Sequence, residues 1–187
     1  MRSPNQPIRY ELRSSGGATT LDEICSSVQS EGGFNPIGLI ATPEINMTPI
    51  TISTGWELLQ AIRLKSSESD SIVEIISIAT YTDSNVSYQW SLLWNPIIAG
   101  TINWADIPGS SLQLANGDGI TNTITPVIAM NSGYSDRGAS REVNADFPTS
   151  LKLGTNIDGT RDVVALAIRT VSGSGDFRGM INLKQLT

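Results

Sequence analysis

The chain of 187 residues contains no histidine. That absence removes Ser-His-Asp and Cys-His catalysis, imidazole acid–base work and every His-ligated metal site. Only one cysteine is present, so no internal disulfide, CxxC pair or thiolate cluster can form. Charge is sparse, at 16% Asp, Glu, Lys and Arg against an ordinary share of about 25%. It also leans acidic, with 18 acids, 12 bases and a net charge of -6, which argues against the basic footprint of a nucleic-acid binder. The most apolar stretches, such as Ile72 to Ala79, fall far short of the roughly 20 residues of a membrane span. Met1 to Leu12 is polar and interrupted by proline, so no signal peptide is expected and synthesis in a cytoplasm follows.

What remains is mostly β patterning. Ile8, Tyr10 and Leu12 alternate with Arg9, Glu11 and Arg13, the pattern of a half-buried strand. Thr20 with Glu23 forms a capping box, and Leu21, Ile24, Cys25 and Val28 make one apolar stripe before Gly32-Gly33. These predict one short N-terminal α-helix, about 20–31. Short β-rich runs follow to the end. Ile72 to Thr82 suits a strand buried on both faces, Val86 to Trp94 alternates, and Leu58 to Lys65 reads as a strand that a helical turn at Trp56 to Leu59 could precede. Turn signals separate the runs, among them Asn95-Pro96, Pro108-Gly109, Asp158-Gly159 and Ser172 to Gly175. The exception is Asn131 to Pro148, polar and aperiodic, with Arg137 and Arg141, which reads as a long surface insertion. The expected architecture is mainly β: one antiparallel β-sandwich domain of jelly-roll type over 1–187, with the helix packed on it. A chain of this length buries a core without disulfides or metals.

Candidate chemistry is thin. Asn156, Asp158, Thr160 and Asp162 alternate oxygen-bearing side chains as a calcium loop does, but the closing bidentate Glu is absent. A tight turn at Asp158-Gly159 explains the same residues, and Asn116 to Gly119 has the same two readings. Tyr88, Trp90 and Trp94 share one strand face, with Trp104 nearby. They either fill the core or form a platform for sugar rings, and solvent exposure separates the two. The carboxylate pairs, Asp22-Glu23 and Glu68 with Asp70, sit at a helix start and in a turn, with no sign of the convergence that glycoside hydrolysis needs. No cofactor is expected. Cys25 reads as a small buried apolar residue.

Several segments carry a resemblance. Ser3-Pro-Asn-Gln-Pro-Ile-Arg-Tyr-Glu-Leu, then Leu21-Asp-Glu-Ile-Cys-Ser-Ser-Val and Ser30-Glu-Gly-Gly-Phe, and far downstream Ile157-Asp-Gly-Thr-Arg-Asp-Val-Val-Ala-Leu before the strand after Ser172-Gly-Ser-Gly, resemble structural proteins of tailed bacteriophages and their metagenomic relatives. The likeness is most specific in the N-terminal block and looser across the middle. It implies a virion component acting in head decoration, neck or tail, and a C-terminal β-rich module occurring alone. It also implies binding to other virion proteins and to copies of itself, with a trimer suggested by the resemblance and by no residue.

The first functional expectation is therefore a non-enzymatic virion protein, with no direct nucleic-acid or membrane partner. Its candidate contacts are the strand carrying Ile8 and Tyr10 and the polar segment carrying Arg137 and Arg141. The alternative is a carbohydrate- or receptor-binding module of a fibre, using Trp90, Trp94 and Trp104.

Overall fold

The structure, a computed structural model, describes residues 39–41, 48–68, 71–118, 121–136, 141–143, 152–155 and 159–186. All of them belong to one compact unit spanning 36–187. The strand and helix expected before residue 36 lie outside the described residues, as do Ile8, Tyr10, Arg137, Asn156 and Asp158.

The described chain is built of antiparallel strands. In order they are β1 (Leu39–Ala41), β2 (Ile50–Ile52), β3 (Glu57–Leu64), β4 (Ile72–Thr82), β5 (Tyr88–Trp94), β6 (Ile97–Ile98), β7 (Ala105–Asp106), β8 (Leu112–Asn116), β9 (Ile124–Thr125), β10 (Ile128–Ser135), β11 (Arg141–Val143), β12 (Lys152–Leu153), β13 (Val163–Thr170) and β14 (Gly175–Leu186). They form two six-stranded sheets and one two-stranded ribbon. Sheet A runs β1-β14-β4-β11, with β2 also on β14 and β12 also on β4. Sheet B runs β10-β5-β13-β3-β8-β7, and β6 with β9 forms the ribbon.

Alternation creates the two layers. On β5, Tyr88, Trp90 and Leu92 turn inward, as do Val164, Leu166 and Ile168 on β13. From sheet A, Ile52, Val73, Ile78, Phe177, Ile181 and Leu183 meet them in the same apolar cluster. The sheets thus face each other across one core in a sandwich-like arrangement. Tyr88 and Phe177, from opposite sheets, pack edge to face at 5.0 Å between ring centroids. The Tyr88 hydroxyl is hydrogen-bonded to Thr80 Oγ1 at 2.9 Å, so the ring's one polar atom is satisfied in the core.

Two glutamines cross the gap in opposite directions. A register shift between Leu166 and Ala167 leaves Leu59 as an extra residue on β3, and Leu59 joins the inter-sheet cluster beside the fully buried Gln60. Gln60 Oε1 accepts the backbone N–H of Ile181 on β14 at 2.8 Å. From the other side, Gln185 Oε1 accepts the backbone N–H of Ser111 at 3.0 Å. At Gly179 the layers approach closely, and a Cβ would run into the Leu59 and Leu166 side chains.

The outer face of sheet B is also covered. Leu58, Ala61, Leu93, Ala165 and Ala167 form a second cluster with Ile124, and Ile98 and Trp104 pack on it. This is why β3 is buried along nearly its whole length. The excursion between β5 and β10 provides the cover and is tied down by Asn122. Its side-chain amide donates to Ala99 O and Thr101 O, and its Oδ1 accepts the N–H of Asp118. Asn95 opens the excursion in the left-handed region at φ 43°, with its Oδ1 accepting Val163 N–H at 2.7 Å.

Three local expectations change. Residues Glu57 to Leu64 are strand throughout, with no helical turn. Strand β4 is not buried on both faces: Ile76 and Tyr81 are exposed, because among the described residues the outer face of sheet A has no cover like that of sheet B at those positions. The segment Asn131 to Pro148 is not a structureless insertion. Asn131 to Ser135 finishes β10, and Arg141 opens β11 against Thr80.

Candidate functional site

Two cross-strand rows on the outer face of sheet B share one design. In the first, Arg63 on β3 lies opposite Gln113 on β8, which lies opposite Asp106 on β7. Arg63 Nε donates to Gln113 Oε1 at 2.8 Å, and Gln113 Nε2 donates to Asp106 Oδ1 at 2.9 Å. The Arg63 guanidinium lies 4.0 Å from the centroid of the Trp104 ring. Arg161 also reaches Gln113 Oε1, at 3.1 Å, and Lys65 stands 3.9 Å from Asp106. Burial, and then the charge of Arg161, pull the Arg63 guanidinium below its ordinary pKa.

In the second row, Arg169 on β13 lies opposite Gln89 on β5, which lies opposite Tyr134 on β10. Arg169 Nε donates to Gln89 Oε1 at 2.9 Å, and its guanidinium lies 4.8 Å from the centroid of the Trp56 ring. This row ends in Tyr134, not in an acid. Beside it is a cavity of about 260 Å³ lined by Thr54, Gln89, Tyr134, Arg169, Thr170 and Val171. Tyr134 is 63% exposed and forms part of the rim.

Tyr134 also belongs to the open edge of sheet B. Among the described residues nothing pairs with the far side of β10. The other sheet edges are strands of two or three residues: β7 on sheet B, β1 and β2 at one side of sheet A, β11 and β12 at the other. Strand β10 has eight residues, Ile-Ala-Met-Asn-Ser-Gly-Tyr-Ser, without a charge or a proline. A register shift between Ala129 and Asn131 is its one irregularity. Val127 and Ile128 are exposed at its start, and Ile97 is exposed on the neighbouring ribbon. Edge strands usually carry Lys, Pro or short length to block pairing, because their outward N–H and C=O groups are unpaired.

The residues singled out in the sequence fare differently. Trp90 is only 3% exposed, inside the inter-sheet core and over Gly133, so it cannot stack on a sugar from solvent. Trp94 is half-buried against the same core, and Trp104 is half-buried on the outer cluster beneath Arg63. The three rings therefore form no common platform. This corrects the sugar-site expectation: alternation put Tyr88, Trp90 and Trp94 on one face, and that face is the inner one. In the loop from Asn156 to Asp162, Asp162 is the one acidic calcium candidate among the described residues. Its Oδ1 accepts from Asn95 and its Oδ2 from Gly154 N–H, so it ties two turns together. Asp118 likewise accepts the N–H groups of Thr121 and Asn122 in its own turn. Among the described residues no group of three His, Cys, Asp or Glu side chains could hold a metal ion. Arg141 is placed only by its strand pairing.

The Arg169 row escapes notice in the sequence. Alternation marks Gln89 and Arg169 as lying on the face opposite the apolar one, but their partnership depends on a register between strands about eighty positions apart in sequence. Compared with protein-family models, curated proteins and solved structures, the chain matches none.

Proposed function

We propose that this chain is a non-enzymatic structural protein of a phage virion, built on a jelly roll and assembled through the open edge of sheet B. The carrying observation is β10, among the described residues an eight-residue edge with neither charge nor proline, where the other sheet edges are strands of two or three residues. An edge of that length and composition suits pairing with a second copy of the chain. The strand pairing supports the jelly roll. β5 pairs with β10, β4 with β11 and β12, β3 with β13, and β2 with β14, each inner pair nested inside the next. This is a long antiparallel ribbon folded over so that its pairs alternate between two sheets, the plan shared by viral capsid and lectin domains. The likeness of the N-terminal block to phage structural proteins favours the first of those uses.

The test is the native mass of the purified chain by light scattering, with electron microscopy of the same sample. A defined oligomer or ordered particles is expected. Ala129→Lys with Ser132→Lys, both at exposed positions on β10, is expected to reduce it to monomer without lowering the melting temperature of the fold. A wild-type monomer at high concentration, or an assembly indifferent to the two lysines, would overturn the reading.

A further inference from the structure

We propose that the cavity at the Tyr134–Gln89–Arg169 row is a binding site for a carboxylate-bearing sugar, one uronic-acid unit in size. The molecule contains its own template for the missing group. In the Arg63 row the glutamine accepts from an arginine Nε with its oxygen and donates with its Nε2 to a carboxylate, Asp106. In the Arg169 row the glutamine oxygen is engaged in the same way, at 2.9 Å, yet among the described residues Gln89 Nε2 has no hydrogen-bond partner and no acid pairs with Arg169. The place that Asp106 fills in one row is filled in the other by Tyr134 and open space.

The unpaired donors are of the right kind. Among the described residues Arg169 uses only its Nε, so both terminal nitrogens remain for a carboxylate to bridge end-on. Gln89 Nε2 adds a neutral donor beside them. The guanidinium plane is held from two sides, by Gln89 and by the Trp56 ring, so little side-chain freedom is lost on binding. With a chain charge of -6, the overall field gives an anion no general attraction, and recognition has to be local.

Size and rim choose the rest of the ligand. About 260 Å³ lies just under the usual range for drug-sized ligands, about 300 to 1,000 Å³, and suits a single ring. The exposed Tyr134 ring and the exposed Val171 give that ring an apolar surface to lie on, and Thr54 offers a hydroxyl at the rim. A bare small carboxylate would use the cations and leave this surface empty. The site uses outward side chains and is independent of the backbone pairing proposed for β10, although Tyr134 lies on that strand.

The test is a titration of the full-length chain, followed by NMR shifts, with glucuronate, glucose and acetate as separate probes. The oligomeric state is measured on the same samples, so that failure of the assembly reading and failure of this one remain distinct. Saturable glucuronate binding is expected, with glucose and acetate each at least about tenfold weaker. Arg169→Gln is expected to lower glucuronate affinity roughly ten- to a hundredfold. Tyr134→Ala, at an exposed position, is expected to weaken glucuronate while leaving acetate unchanged. Arg63→Gln, in the self-completed row, is expected to change nothing in this titration. Should Arg169→Gln fail to fold, Arg169→Lys keeps the charge and removes the bidentate fork. Absence of saturable glucuronate binding, acetate binding as tight as glucuronate, or indifference to Tyr134→Ala would each overturn the proposal.

Discussion

Replacing Gln60 by leucine tests whether the two sheets face each other as described. Gln60 is fully buried, and its Oε1 is the acceptor for the Ile181 backbone N–H at 2.8 Å. Leucine fills a similar volume, so the loss from packing is small, below about 1.5 kcal/mol. The N–H of Ile181, a fully buried residue paired with β4 and lying between the reaches of β1 and β2, then loses its acceptor. A buried donor left in that state costs about 1–3 kcal/mol. Asn116, which accepts from Gln60 Nε2, is exposed and turns to solvent at little cost. Together these give a destabilisation of about 2–4 kcal/mol, or roughly 5–15 °C in melting temperature for a domain of this size. Urea unfolding of wild type and variant, with unchanged slope, measures it. Gln60→Glu sharpens the test. It keeps the acceptor and puts a carboxyl in the same dry gap, where burial raises its pKa. A raised pKa means that stability is retained below the unfolded value of about 4.3 and lost as pH rises through the folded value. The variant should therefore lose stability relative to wild type as pH increases. A loss under about 0.5 kcal/mol for Gln60→Leu, or no added pH slope for Gln60→Glu, would show that Ile181 N–H is hydrated and that the layers do not close there.

Other perturbations follow from the same contacts. Gly179→Ala places a methyl group against Leu59 and Leu166, and is expected to cost about 1–3 kcal/mol by chemical denaturation, more than an alanine at the open position Gly55. Asn95→Ala loses the bonds to Val163 and Asp162 and forces a Cβ into the left-handed region, whereas Asn95→Gly loses only the bonds; a melting temperature lower for Ala than for Gly is the expected order. Asp162→Asn is expected to lower stability in the presence of excess chelator as much as in added calcium, because the carboxylate holds Asn95 and Gly154; a calcium-dependent difference would restore the metal reading.

The sequence by itself determined the class of fold. Period-two alternation and closely spaced turn signals are local properties, and they marked β3, β4, β5, β13 and β14 because each strand must put one face against something apolar. The lack of histidine and the single cysteine likewise settled at once which chemistries this chain cannot perform. Alternation could not say which of a strand's two faces looks inward. Tyr88, Trp90 and Trp94 were therefore open to two readings until Phe177 and Ile181, nearly ninety positions away, were seen packed in the same cluster. It also could not show that the opposite face of sheet B is covered by a loop, which made β3 appear irregular. Register between distant strands was the other decision left to tertiary structure. Gln89, Tyr134 and Arg169 meet only because β10, β5 and β13 lie side by side. A long uncharged edge exists only because no described strand follows β10 in the sheet. Both candidate sites are juxtapositions of residues far apart in the chain, set by which strands pair and with what offset, and no local pattern encodes that.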